Sequence, residues 1–262
     1  MRPSTTRNKR PKKEALLPFV AAAFWLLLWQ AASVWVGIEI LLVSPLTVLA
    51  TLWKLVAQPA FWRAVGFSFV RIVGGFALAW AVGVLLSVAA AWSPAVRILL
   101  TPLTATIKAT PVASFIILAL VWIPSKNLSV FISFLMVLPI VYINCLQGIL
   151  RVDPDLLEMA RVFHVSRRRR LLYIYLPDVM PHLISAASVS LGLCWKSGIA
   201  AEVIGLPAGS IGERLYEAKV FLLTGELFAW TVVIILVSVA FEKLVLALLR
   251  AFQRRLERTV RP

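Results

Sequence analysis

Hydrophobic residues in this chain come in long blocks, not in the alternation of a half-buried strand or the single stripe of a surface helix. The distance between consecutive charges measures those blocks, because a helix needs about 20 apolar residues to cross the hydrocarbon core of a bilayer. Between Glu14 and Glu39 lie 24 uncharged residues, between Arg71 and Arg97 lie 25, and between Lys126 and Arg151 another 24. Three further blocks are nearly as clean. Lys108 alone interrupts 98–122, Lys196 and Glu202 interrupt 183–204, and Glu242 and Lys243 fall near the end of 227–249. The pattern predicts six transmembrane helices, over 16–38, 68–92, 98–122, 127–149, 183–204 and 227–249. The fold class is therefore all-α: a polytopic membrane protein with one transmembrane domain over 15–250, between basic tails at 1–14 and 251–262. The first block is too long for a cleavable signal peptide and no small-residue cleavage pattern follows it, so it reads as a retained span.

Two connecting segments carry patterns of their own. Residues 44–57 open with Ser44-Pro45 and then place Leu46, Leu49, Leu52, Trp53 and Val56 on one helical face, which predicts an amphipathic helix on the outer membrane interface. Residues 205–226 hold four glycines and several charges, and read as an outer loop with a short helix near 211–220. Trp25, Trp29, Trp35, Trp53, Trp62 and Trp92 read as interface-belt or lipid-facing aromatics.

Composition adds orientation. The 262 residues are 61% hydrophobic and 15% charged, well below the charge content of a soluble domain, and the net charge is +15. The basic residues cluster in the N-terminal tail (Arg2, Arg7, Lys9, Arg10, Lys12, Lys13), in the connection after the fourth span (Arg151, Arg161, Arg167–Arg170) and in the C-terminal tail (Arg250, Arg254, Arg255, Arg258, Arg261). Six spans put all three on one side, and the positive-inside rule makes that side the cytoplasm. A multi-pass protein of the inner or plasma membrane with both termini cytoplasmic follows. The basic runs are a topology pattern, with no nucleic-acid-binding fold around them. Cys145 and Cys194 both lie in apolar runs and read as small buried hydrophobes.

Enzymatic motifs are missing. There is no glycine-rich phosphate loop, no assembled nucleophile and base, and no metal-ligand spacing around His164 or His182. The information sits instead in the cytoplasmic loop 151–181. Asp153-Pro154 followed by Asp155 and Glu158 starts a helix, with a capping acid, a proline in the first turn and acids at the positive end of the dipole. Leu156, Leu157, Ala160 and Phe163 follow at helical spacing. A second short helix begins after Val165-Ser166, with arginines on one side and Leu171, Leu172 and Ile174 on another, and Pro177 and Pro181 are expected to end it. Two short helices with exposed apolar residues make a docking knob for a soluble partner.

The same loop resembles the EAA motif of ABC-importer permeases, which reads E-A-A, three residues, Gly, nine residues, I-x-L-P. Glu158, Met159 and Ala160 stand at the first three positions, His164 at the glycine, and Ile174, Leu176 and Pro177 at the last. Over about residues 40–250 the chain is similar to the alkanesulfonate/taurine/nitrate-type branch: SPLTVLATL, LRVDPDLLEMA, GLCWKSGIAAEVIG and GSIGERLYEAKVFLLTGELFA match its style. The resemblance implies a membrane pathway built by two permease copies, each loop docked in an ATP-binding ABC subunit, with an extracytoplasmic solute-binding protein delivering substrate. It implies no cofactor bound by this chain and ATP hydrolysis in the partner. Glu158 would sit at the ATPase contact. Met159 for Ala is a mild change in a helix. His164 for Gly is larger: either the turn avoids positive φ or the angle between the two short helices differs.

Charges at membrane depth carry functional hypotheses by default. Lys196, about 14 residues into the fifth span, is read as facing the pathway and attracting an anion. Lys108, beside Thr106, Thr110 and Pro111, lies near the cytoplasmic start of the third span in this reading and either snorkels or lines the pathway. Glu202 lines the outer mouth or pairs with Lys196. Ser197 and Gly198 read as helix-packing residues, and the arginine run as topology and headgroup charge before any specific contact. The rival readings are a stand-alone secondary transporter or channel, which would call for repeats and more ionisable residues at midplane, and an importer of a non-anionic solute such as a thiamine-precursor pyrimidine.

Overall fold

The computed structural model describes residues 12–260. It is all helix among those residues, and five helices plus one sharply bent pair are long and apolar enough to cross a membrane. Of the expected basic tail, residues 1–11 lie outside the described residues and 12–14 already belong to the first helix. That helix, α1 (Lys12–Val36), ends where Gly37 takes φ +65° and its N–H bonds back to the Ser33 carbonyl. It packs at the periphery. Ser33 Oγ donates to Leu42 O and Trp29 Nε1 to Val43 O, which ties α1 to the segment that follows.

The interface helix forms as expected. In α2 (Pro45–Val56) the Ser44 hydroxyl caps the Thr47 N–H at 3.1 Å. Its Leu46, Leu49 and Trp53 face is exposed, while Val48 and Leu55 on the other side are buried against the body. The second span is longer than the charge spacing suggested. It runs as α3 (Pro59–Trp92), 34 residues or about 51 Å, because Pro59 provides a first-turn proline well before the hydrocarbon begins. Charge spacing marks where lipid begins, not where a helix does.

The third span departs most from expectation. It is two helices, α4 (Pro94–Ala109) and α5 (Val112–Ala119), bent by 103° at Thr110-Pro111. The cause is local: the residue before a proline is pushed to extended backbone, and Thr110 sits at φ −81°, ψ 132°. The eight-residue α5 is too short to cross, and it turns back to bury Ile116 and Ala119 against Leu128, Ile132, Met136 and Ala201. The fourth span is α6 (Ser125–Leu150).

After α7 (Pro154–Val162) and the single turn α8 (Arg167–Arg170), the chain does not break at its prolines. A π-turn over Leu171–Tyr175 leads directly into α9 (Leu176–Gly205), so helix is continuous from Arg167 to Gly205. The expected stop at Pro177 and Pro181 is replaced by this wider turn, in which the Leu176 N–H bonds to the Leu171 carbonyl. Pro177 follows immediately, and the wider turn accommodates a residue that has no N–H to give. The final helices are α10 (Ile211–Val220), at the position predicted, and α11 (Thr224–Val260). The latter takes residues 251–260 of the expected tail into its last turns, and residues 261–262 lie outside the described residues.

α3, α6, α9 and α11 make the core, centred on Ile72, Phe76, Val137, Val141, Leu191, Trp195, Trp230 and Phe241. Phe69, Trp195 and Phe76 gather around the ring of Phe241 at centroid distances of 5.6–6.3 Å, mostly edge to face. What lets α3 and α6 approach so closely is a row of small residues four apart: Gly75, Ala79, Gly83 and Ser87, all buried. A Cβ on Gly75 would collide with the Val130 carbonyl and lie 2.9 Å from Ser133 Cβ; one on Gly83 would lie 3.0 Å from Val141 Cβ. Gly198 on α9 is similarly tight against Ile72 and Ser133, and the Ser197 hydroxyl folds back to the Cys194 carbonyl, so both act in packing. Both cysteines are buried. Trp25, Trp35, Trp53, Trp62 and Trp92 are exposed apolar surface as expected, but Trp29 is half-buried beside Phe228.

Candidate functional site

Three places hold the residues singled out from the sequence. The first is the loop between α6 and α9. The Asp153 carboxylate accepts the Asp155 N–H at 2.9 Å and Pro154 occupies the first turn, so α7 starts as the acid-proline pattern predicts. Its end is set by His164, which has φ +49°. The His164 N–H bonds to Arg161 O at 3.1 Å and the Val165 N–H reaches back to Ala160 O at 2.9 Å. This is the paired reverse bonding of a Schellman end, normally built on glycine. Position 164 therefore keeps the left-handed backbone that the motif's glycine supplies, and of the two alternatives left by the sequence the first, a turn that avoids positive φ, does not hold. Histidine is among the few side chains that enter this region with some regularity. Ser166 then caps α8 through the Arg169 N–H.

The seven motif positions divide by burial. Ala160 is 1% exposed and fixes α7 to the body. Ile174, Leu176 and Pro177 are half-buried at the base, with Leu176 packed on the cluster of Cys145, Val179, Met180 and Leu183. Glu158 is exposed and has no ion-pair partner among the described residues, and Met159 (49%), Val162 and Phe163 (74%) are exposed around it. One acid on a short helix that also exposes Met159, Val162 and, at its cap, Phe163 is a surface that gains by being covered. Leu156 and Phe163 are exposed, in keeping with the exposed apolar residues expected of this loop, whereas Ala160 at the same helical spacing is buried; Val162 had no sequence pattern to single it out.

The second place is the outward face of α9. Ser185, Ser188, Val189 and Lys196 are exposed and Gly192 is half-buried, on one face of the helix. With Val189 as its one exposed large hydrophobic, this face differs from the exposed face of α11, which presents Ile235, Leu236, Val239, Leu244 and Leu248. A lysine ammonium facing hydrocarbon at this depth is costly, so the α9 face must meet water or protein. Lys108 is also exposed, but it stands one residue before the end of α4, about 21 Å from that helix's start and directly before the Thr110-Pro111 break. The placement near the start of a straight span is thus corrected by the bend.

The third place overturns a reading. Glu202 neither lines a mouth nor pairs with Lys196; it is 0% exposed. Its Oε2 accepts the Ser68 hydroxyl at 2.6 Å and the Gly212 N–H at 3.3 Å, and Ser68 Oγ in turn accepts the Ile211 N–H at 3.0 Å. The carboxylate thus caps the start of α10 and joins α3, α9 and α10 in one polar knot. Gly212 has no room for a side chain, since a Cβ there would collide with Glu202 itself. Sequence reasoning missed this knot because Ser68 lies 134 positions away.

Comparison with known proteins decides what the arrangement belongs to. Residues 81–258 match the family described as binding-protein-dependent transport system inner membrane component. The chain belongs to this family. It is a transport permease of the inner membrane, and the resemblance noted in loop 151–181 holds over most of the molecule. Among its relatives is a putative aliphatic sulfonates transport permease of Bacillus subtilis, 26% identical over 93% of this chain and 86% of the relative. The nitrate import permease of Synechococcus elongatus is 27% identical over 82% of each, and the taurine transport system permease of Escherichia coli is 26% identical over 87% of this chain and 83% of the relative.

Proposed function

We propose that the permease pairs with a second copy of itself to form the pathway of an ATP-driven importer for a small anionic solute. Each α7 docks into a cytoplasmic ATP-binding subunit, and an extracytoplasmic binding protein hands over the solute. This chain binds no cofactor; ATP is hydrolysed by the partner. The observation that carries the reading is the α7 knob. It presents Glu158 with Met159, Val162 and Phe163 outward while Ala160 is buried and the Ile174–Pro177 base half-buried against the body, an arrangement suited to pass force between a soluble motor and the spans.

The rest supports it. Positive charge concentrates at the C-terminal end of α6, in α8 and at the end of α11, which supports a cytoplasmic placement of that side and of the termini. The α9 face with Ser185, Ser188, Val189, Gly192 and Lys196 supplies a surface for the second copy or the solute path, and its one charge is positive. The relatives are named for sulfonates, nitrate and taurine, all of which carry an oxyanion group.

The test is a mild-detergent pull-down of the tagged chain from native membranes, with Glu158→Lys in parallel. An ATP-binding subunit should accompany the parent chain and be lost by roughly tenfold or more from the variant, since charge reversal in a covered contact removes several kcal/mol. A subunit retained equally by both moves docking away from α7. Absence of any such subunit from the parent, under conditions that keep other membrane complexes whole, sinks the importer.

A further inference from the structure

Beside the α7 knob, and separate from its docking face, a cavity of about 720 Å³ opens where α3 and α6 end. Its lining mixes two chemistries: Trp92, Ile149 and Leu171 stand among Arg167, Arg168 and Arg170. A second hollow of about 280 Å³ shares Arg167 and Arg170. No acidic side chain lines either one, and none of the three arginines forms an ion pair among the described residues. Arg170 is the most constrained: its Nε is buried and lacks an acceptor. An unpaired buried guanidinium donor is costly, so an anionic group seated there is stabilised.

Leading into the cavity is an apolar track. Leu78, Leu85 and Trp92 on α3 are seven apart, exposed, and all on one side of the span. Trp92 stands at the span's end, where amphipathic aromatics meet headgroups. From these placements we infer that the cavity is a binding site for one anionic phospholipid. The phosphate is held by Arg167, Arg168 and Arg170, and an acyl chain lies along the Leu78–Leu85–Trp92 track. Both halves of the ligand match: charge complementarity fits the headgroup, and an exposed apolar stripe ending at the arginines fits the tail. The volume lies in the range of small-ligand sites. The inference needs only a membrane-embedded chain and does not depend on the importer's solute or on docking through Glu158.

The test titrates the delipidated permease, in whatever complex purifies with it, with phosphatidylglycerol or phosphatidylcholine of the same acyl chains, read by native mass spectrometry. The parent should retain one phosphatidylglycerol per chain in preference to phosphatidylcholine. Arg168→Gln/Arg170→Gln should weaken that retention about 10- to 30-fold. Arg168→Lys/Arg170→Lys, which keeps the charge and guards against a folding artefact, should lose far less. Arg250→Gln/Arg254→Gln, an equal charge loss on α11, should change nothing. The proposal is overturned if both headgroups bind equally, if the α11 pair weakens binding as much, or if millimolar inorganic phosphate displaces the lipid completely. It is equally overturned if phosphatidylglycerol binds the isolated chain but not the assembled complex, because a protein partner then fills the cavity.

Discussion

At the scale of single residues, His164 and Glu202 reward comparison. Histidine stands where the motif has glycine, and the backbone keeps glycine's conformation, φ +49°, because two reverse hydrogen bonds from the α7 end depend on it. Left-handed backbone costs an L-residue about 1–2 kcal/mol. His164→Gly should therefore raise stability by about 1 kcal/mol, and His164→Val should lower it, read as opposite shifts of the thermal midpoint in detergent. Equal midpoints would mean that the turn is not held in this conformation. The departure was legible in the sequence, but its outcome was not, because spacing reports which residue is unusual without saying whether backbone or side chain yields. With Glu202 the charge at depth was legible and its destination was not. Glu202→Ala strands the Ser68 hydroxyl and the Gly212 N–H and leaves a void, a loss of about 2–4 kcal/mol. Glu202→Gln keeps an acceptor and should retain most of that stability. If the alanine variant melts with the parent, the knot holds nothing.

Among elements, α2, α7 and α10 stood where capping residues and helical spacing put them, because those patterns act within one turn. The errors share a cause as well. The bend at Thr110-Pro111, the uninterrupted run through Pro177 and the early start of α3 are all proline effects, and proline's outcome depends on what surrounds it. After Thr110 the chain breaks because α5 finds a buried berth for Ile116 and Ala119; at Pro177 the π-turn removes the conflict without a break. Helix packing can be tested on adjacent glycines that a sequence cannot tell apart. Gly74 has nothing within 4 Å of a would-be Cβ, whereas Gly75 faces α6. Gly74→Ala should be neutral or stabilising by up to about 1 kcal/mol, and Gly75→Ala destabilising by about 1–3 kcal/mol. Chemical denaturation of the two variants separates them, and equal behaviour would place α3 in a different rotation.

For the molecule as a whole, crossings and family were readable because the bilayer imposes a length that few other structures imitate, and because loop 151–181 carries the family's motif at fixed spacing. The pathway was less readable, because charge spacing marks which residues lie deep without saying which face of a helix carries them. Lys196 belongs to this scale. Lys196→Met should lower uptake of an anionic solute by roughly tenfold, equivalent to about 1.4 kcal/mol, while leaving co-purification with the ATP-binding subunit intact. Lys196→Arg should restore most of the uptake. Unchanged transport in the methionine variant would remove this lysine from the path.

The helix from Arg167 to Gly205 ties these scales together. Its 39 residues make a rod about 58 Å long, whose near end is the base of the α7 knob and whose far end carries the polar knot with α10. Mechanically it is a lever arm whose π-turn and prolines, Pro177 and Pro181, all lie near the knob, with residues 182–205 unbroken beyond them. A tilt of about 5° at the knob, over a helix rising 1.5 Å per residue, displaces the far end by about 5 Å. Because Glu202 binds α10 to that end, the segment on the opposite membrane face is carried along in the same stroke.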